Sequence, residues 1–188
     1  FGRQVTPQPS QIDFENRLAV AMLKARHLNS GPVYLEDESR LVGRCALPES
    51  LKERMARSPL LILEQPMEER IGIIREDYVE GMYSDYVDRD GAEAGWLNFR
   101  DYLLSAIDRI RKRLGGERHQ QLRGLMDQAL LQQEATGETA AHNAWIQSLL
   151  QDYYDPMYDY QLGKKEGRIL VRGGPKTILD WANKSSVA

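Results

Sequence analysis

Pro59-Leu60-Leu61-Ile62-Leu63-Glu64-Gln65-Pro66 is the stretch on which the fold class turns. Its four apolar residues are continuous rather than alternating and are closed off by a proline on each side. That pattern suits a strand buried on both faces, as in a parallel sheet. Upstream, Val33-Tyr34-Leu35 is a shorter extended run that ends abruptly in Glu36-Asp37-Glu38. Downstream, Arg168-Ile169-Leu170-Val171 is a third strand candidate. Helices separate them, and the order helix, strand, helix, strand marks an α/β fold.

Ser10 opens the first helix, with Asp13 three residues on in the manner of a capping box. Phe14, Leu18, Ala21, Met22 and Ala25 then form one apolar stripe. Asn29-Ser30-Gly31 predicts its end. Pro48-Glu49-Ser50 starts a short helix through about Arg57, with Pro where its missing N–H costs nothing. From Met67 to about Leu150 the pattern is all helix. Its stripes are Ile71/Ile74/Tyr78/Met82, Leu103/Ile107/Ile110/Leu114, Leu122/Met126/Ala129 and Trp145/Leu149, punctuated at Gly115-Gly116 and Thr136-Gly137. Asp155-Pro156 reads as an N-cap followed by the first residue of a further helix, and Thr177 to Asn183 as a closing one. The expectation is one α/β domain over residues 1–188, with strands near 33–37, 60–64 and 168–172 and a helical insertion over about 67–163.

The 188 residues, 41% hydrophobic and 28% charged, suffice for a globular core without disulfide staples. One cysteine excludes an intrachain bridge and makes a reducing cytoplasm the default compartment. No run of about 18 apolar residues is present, so no membrane span is expected. The opening Phe1-Gly2-Arg3-Gln4 has neither an initiator Met nor a signal-peptide layout, and is expected to be a cut through a longer protein. A net charge of −3 does not announce a nucleic-acid binder, although it says nothing of local clusters.

Four segments carry candidate chemistry. Acids at the carboxyl end of a strand in an open α/β sheet lie where ligands bind. As a strand end, Glu36 and Glu38 would point to one face and Asp37 to the other, to hold Mg²⁺ or position an attacking group. The other reading is a strand emerging into solvent. Arg70 and Arg75, on the helix after the second strand, are candidate phosphate clamps, because guanidinium grips phosphate oxygens bidentately. They are about 140° apart around a helix, and surface pairing with Glu68, Glu69 and Glu76 competes. Arg109, Lys112 and Arg113 form a basic stripe able to neutralise RNA phosphates, or simply to complement a helix dipole before Gly115. Tyr153, Tyr154, Tyr158 and Tyr160 offer rings for stacking bases, or pack as lids over a core. Cys45 has no nearby His, and His27, His119 and His142 lack metal-ligand spacing. A phosphate loop of the GxxxxGK[ST] type is absent.

Several blocks together carry a resemblance. Phe1-Gly2-Arg3, Gln8-Pro9-Ser10-Gln11 with Phe14-Glu15-Asn16, and Leu35-Glu36-Asp37-Glu38-Ser39-Arg40 with Gly43 come first. Leu47-Pro48 and Tyr153-Tyr154-Asp155-Pro156-Met157-Tyr158 with Tyr160 complete the order. Spread across nearly the whole chain, they resemble the tRNA 2-selenouridine synthase family. The resemblance implies an N-terminal rhodanese-like domain with a reactive cysteine and a C-terminal P-loop domain. It implies replacement of sulfur by selenium in wobble 2-thiouridine of tRNA, using selenophosphate, through a geranylated intermediate formed from geranyl diphosphate. The chain looks like the C-terminal domain from just after the phosphate loop: an incomplete P-loop NTPase-like parallel sheet with a large helical insertion, inactive alone. Glu36 and Glu38 are then expected as catalytic acids and Glu36 and Asp37 as Mg²⁺ ligands. Arg3, Arg40, Arg70 and Arg75 are the expected phosphate clamps. Arg109, Lys112, Arg113, Tyr154 and Tyr158 are expected to contact the tRNA anticodon region. A P-loop kinase or NTPase fragment and a non-catalytic tRNA-binding module are the competing readings.

Overall fold

A computed structural model describes residues 2, 4–28 and 31–185. In chain order the elements are α1 (Gln11–Leu28), β1 (Leu41–Val42), β2 (Cys45–Ala46), α2 (Glu49–Arg57) and β3 (Leu60–Leu63). The helical stretch follows as α3 (Met67–Arg75), a π-helical turn (Glu76–Gly81), α4 (Met82–Asp90), α5 (Ala92–Arg109), α6 (Arg111–Leu114) and α7 (Gly116–Thr136). It continues through a 3₁₀ turn (Ala140–His142), α8 (Asn143–Leu149), a second π turn (Leu150–Tyr154) and α9 (Asp155–Gly163). A 3₁₀ turn (Glu166–Arg168), β4 (Ile169–Gly173) and α10 (Pro175–Ser185) close the chain. Two compact units result: Phe1–Val5 with Pro66–Lys164, and Thr6–Gln65 with Lys165–Ala188.

The second unit holds the sheet. β3 and β4 pair in parallel, Leu61 opposite Val171 and Leu63 opposite Gly173, with a register shift after Leu60. The α/β class and the parallel pairing are as predicted, but the parallel sheet has two strands among the described residues. The expected strand over 33–37 is not formed: residues 32–39 run without a ladder partner, and Val33, Tyr34 and Leu35 are exposed. Three apolar residues supply no pairing edge of their own. β3 is also less covered than its composition predicts, with Leu60 buried and Leu63 54% exposed. α10 packs on both strands.

Local chemistry explains the rest of this unit. Ser10 Oγ accepts from the Asp13 amide at 3.1 Å and donates to Asp13 Oδ2 at 2.8 Å, the expected capping box with Asp in the usual Glu place. Phe14, Leu18, Met22 and Ala25 form a half-buried stripe on α1. The predicted stop at Asn29-Ser30 lies outside the described residues. β1 and β2 form a tight antiparallel hairpin turning at Gly43, whose φ of +62° favours glycine. Gln8 bridges that turn, its Nε2 donating to Val42 O at 3.1 Å and its Oε1 accepting from the Arg44 amide at 2.8 Å. Gln11 grips Ala46 on both backbone groups. Buried Cys45 points its thiol at Pro9 O. Gln8, Pro9, Gln11 and Gly43, which carry the family resemblance, therefore meet as one structural knot.

The helical unit has its own core. Val79, Phe99, Leu103, Ile107, Leu122, Met126, Trp145 and Ile146 are almost fully buried, drawn from the predicted stripes and their neighbours. Gly137 ends α7 in the left-handed conformation, donating to Gln133 O at 2.8 Å, as Thr136-Gly137 predicts. One expectation is corrected. α9 begins where Asp155-Pro156 predicts a helix, with Pro156 in its first turn, but Asp155 is a helical residue (φ −60°, ψ −48°) rather than a cap, in a stretch continuous from α8 through the π turn. The wider π turn directly before Pro156 accommodates a ring and a missing N–H that an α-helix interior rejects.

Two features of this core are open to measurement. A Cβ at Gly95 would stand 2.7 Å from Tyr86 O and from Val87 Cα, so Gly95→Ala must force α5 off α4. Thermal or urea unfolding should show a loss of about 1–3 kcal/mol. His142 is fully buried, accepting from Trp145 Nε1 at 2.8 Å through Nδ1 and facing Gln133 Oε1 from Nε2 at 3.0 Å. Burial pushes its pKa down to about 4 from 6.5. Between those values the unfolded chain binds a proton that the folded chain does not, so stability falls as pH falls through this window. The loss should reach about 3 kcal/mol near the lower end and be missing from the pH profile of a folded His142→Asn variant.

Candidate functional site

The expected site residues fall into the two units. In the sheet-bearing unit, Glu36, Asp37, Glu38 and Arg40 lie on the exposed segment before β1. Because this segment is not a strand, the predicted two-faced alternation does not apply. A tight turn instead brings the Glu38 amide to Glu36 O at 2.8 Å, and the Glu38 carboxylate accepts from the Ser39 amide at 3.0 Å. Asp37 forms an ion pair with Lys165, a partner 128 positions away that no local pattern signals. Among the described residues no three His, Cys, Asp or Glu side chains gather to hold a metal. Arg3 lies outside the described residues.

In the helical unit, α3 carries Arg70 and Arg75 to different partners. Arg70 forks onto Asp155, Nη1 to Oδ2 at 3.1 Å and Nη2 to Oδ1 at 2.5 Å. This hydrogen bonding and the charge of Asp155 hold the Arg70 pKa above its ordinary value, against a smaller effect of burial. Arg75 donates through Nε to Glu80 at 3.2 Å and through Nη1 to Asn143 at 3.0 Å. It opens onto a cleft of about 520 Å³ lined also by Tyr83, Gln133 and Thr139. The competing partners expected from the sequence were Glu68, Glu69 and Glu76. Asp155 and Asn143, from the far end of the helical stretch, and Glu80, on the π turn that continues α3, take their place.

The basic stripe is interrupted. α5 ends at Arg109 and α6 begins at Arg111, with Ile110 between them at φ −98° and ψ 6°. Arg109, Arg111, Lys112 and Arg113 are all exposed. The neighbouring Tyr153 hydroxyl raises the Arg113 pKa. Arg118 donates to Asp152 O at 3.1 Å. Arg123 is committed elsewhere: it pairs with Asp108, whose second oxygen faces His119 Nε2 at 2.8 Å. Arg123 above all, and His119 after it, hold the Asp108 carboxyl below its usual range.

The tyrosines form a ladder beside this stripe. The rings of Tyr153 and Tyr154 meet edge-on at 4.9 Å, and Tyr154 stacks on Tyr158 at 6.2 Å with 22° between their planes. Burial pushes the Tyr154 hydroxyl up to about 12, helped by Tyr153, Tyr158 and Tyr78 and opposed by Arg113. Tyr158 keeps 52% of its surface exposed. The inner rings of Tyr153 and Tyr154 are partly buried, as the packing reading expects, and Tyr158 stands outermost. Tyr160 stands apart under Lys164, whose ammonium is 4.0 Å from the ring centre. The structure therefore brings Arg113 to the tyrosines and leaves Arg70 and Arg75 separate from one another.

Comparison with known proteins agrees with this assembly of motifs. The family model described as the tRNA 2-selenouridine synthase AAA domain matches residues 1–188. A protein of Marinobacter nauticus named tRNA 2-selenouridine synthase is 76% identical over 97% of this chain and 50% of its own length. Proteins of the same name from Shewanella oneidensis and Alcanivorax borkumensis are 46% and 45% identical over 99% and 97% of this chain, covering 50% and 51% of their lengths. The chain thus spans about half the length of the curated relatives it matches. No solved structure matches, and among the described residues no helix is long and apolar enough to cross a membrane. With the family model matched from first residue to last and the resembling blocks in place, this chain belongs to the AAA-domain family of tRNA 2-selenouridine synthase.

Proposed function

We propose that this chain is part of a cytoplasmic tRNA-modifying transferase that replaces sulfur by selenium in wobble 2-thiouridine, and that its helical unit takes the tRNA. The observation carrying this reading is the contact of exposed Arg113 with the Tyr153–Tyr154–Tyr158 ladder, beside Arg109 and Lys112. Cations of this kind neutralise backbone phosphates, and exposed rings stack unpaired bases. The names of the relatives support tRNA and selenium as the chemistry concerned.

Selenophosphate and geranyl diphosphate are the proposed co-substrates, with a geranylated thiouridine between the two steps. Both present phosphate oxygens. Arg3, Arg40 and Arg75 are the proposed clamps, whereas Arg70 has both terminal nitrogens on Asp155. Glu36 and Glu38 are the proposed catalytic acids. Glu36 and Asp37 offer two carboxylates at most, and Asp37 is paired with Lys165. Mg²⁺ commonly takes one or two carboxylates and completes its shell with water and substrate phosphates, so this donor set fits a shared ion and not a closed protein site. A rhodanese-like domain with a reactive cysteine is the proposed covalent partner, without which this chain is inactive.

The test is made in the full-length protein. Replacing Arg109, Lys112 and Arg113 together by Ala should weaken tRNA binding and reduce its salt slope by about 2–3. Binding that shows no salt dependence in the parent protein rules out a phosphate-tracking surface. Glu36→Gln and Glu38→Gln should each slow selenium incorporation while tRNA affinity is kept. Unchanged turnover in both removes the acids from the mechanism and favours a non-catalytic tRNA-binding module.

A further inference from the structure

We infer that Arg70 and Asp155 form a positioning pair that sets the Tyr153–Tyr154–Tyr158 ladder for stacking an unpaired RNA base, an inference that rests on the tRNA-binding reading above. The two residues are 85 positions apart, so their fork joins α3 to the first turn of α9. A fork of two parallel hydrogen bonds fixes orientation as well as distance. With both terminal nitrogens on Asp155, the guanidinium is directed at its own protein.

Orientation is what α9 lacks on its own. The π turn of Leu150–Tyr154 precedes it, and Pro156 withdraws one backbone donor from its first turn. Backbone hydrogen bonding therefore determines the direction of this turn less firmly than in an uninterrupted helix. Asp155 is the neighbour of Tyr154 and lies three residues before Tyr158, so a clamp on its carboxylate governs both rings. Their near-parallel stacking, 22° between planes, is the geometry the clamp preserves. The exposed face of Tyr158 is where another planar ring can continue the stack, while Arg113 beside Tyr153 supplies a cation for the adjoining phosphate.

A positioning pair and a phosphate clamp respond differently to charge reversal. In the full-length protein, binding of 2-thiouridine-bearing tRNA is measured across a salt series for Arg70→Asp, Asp155→Arg, the double variant and Tyr158→Ala. Each single reversal should weaken binding roughly tenfold, as should Tyr158→Ala, because a misplaced ring loses its stacked base. The double variant should return to within about threefold of the parent with its salt slope unchanged, and recover the near-ultraviolet tyrosine dichroism lost in the singles. A double variant no better than the singles, or a salt slope lowered by about 0.9 in Arg70→Asp, makes Arg70 a phosphate contact and overturns the inference. If Tyr158→Ala weakens binding and the reversals do not, the pair is irrelevant and the tRNA surface survives. If Tyr158→Ala also binds normally, the ladder as an RNA surface falls first. Should a reversal fail to fold, Asp155→Asn decides the matter: weaker binding at unchanged salt slope supports the pair, and unchanged affinity overturns it.

Discussion

Parallel strands cannot be joined by a hairpin, because the chain leaving one must return to the starting edge before it can run alongside. β3 and β4 obey this constraint with an unusually long return. Everything from Glu64 to Arg168 lies between them, and most of it folds as the helical unit. A long closed loop costs little more than a medium one, since each doubling adds only about 0.6 kcal/mol. The larger requirement is that the insertion be stable by itself. It has a core of its own to build on, with Phe99, Leu103, Ile107, Leu122, Met126 and Trp145 buried from helices that neighbour one another in sequence.

Arginine does much of the joining that a short sheet cannot. Arg168 donates to Met55 O and Ser58 O at 2.7 and 2.8 Å, satisfying carbonyls at the end of α2 from the residue just before β4. Arg172 spans from β4 to Glu64 beyond the end of β3. In the helical unit Arg75 and Arg123 each tie one helix to another element. Contacts of this kind tie Arg123, Arg168 and Arg172 to partners within the protein and withdraw them from any surface open to a polyanion. A count of basic residues alone overstates that surface.

Features set by neighbours in sequence were readable in advance. The helix stripes, the Ser10 capping box and the glycine stop at Gly137 depend on contacts a few residues apart, and periodicity or residue type announces them. Strand pairing is different. Val33-Tyr34-Leu35 has the composition of a strand, but whether it becomes one depends on an edge supplied from elsewhere. The site divides along the same line. Tyr154 and Tyr158 are four apart on one helical face, so their stacking follows from spacing. Arg70 and Asp155, or Asp37 and Lys165, meet only once tertiary structure exists. Asp155 misleads for a related reason: before a proline it has the signature of an N-cap, and the π turn arriving from α8 makes it helical instead.

The knot around Gly43 has a practical consequence. Cys45 is the chain's single thiol, and it is sealed beneath Pro9 by the same contacts through which Gln8 and Gln11 hold the hairpin. An alkylating reagent can reach it only when that clasp opens. The pace of its modification is thus a built-in clock for local breathing at the start of α1, one that needs no added label.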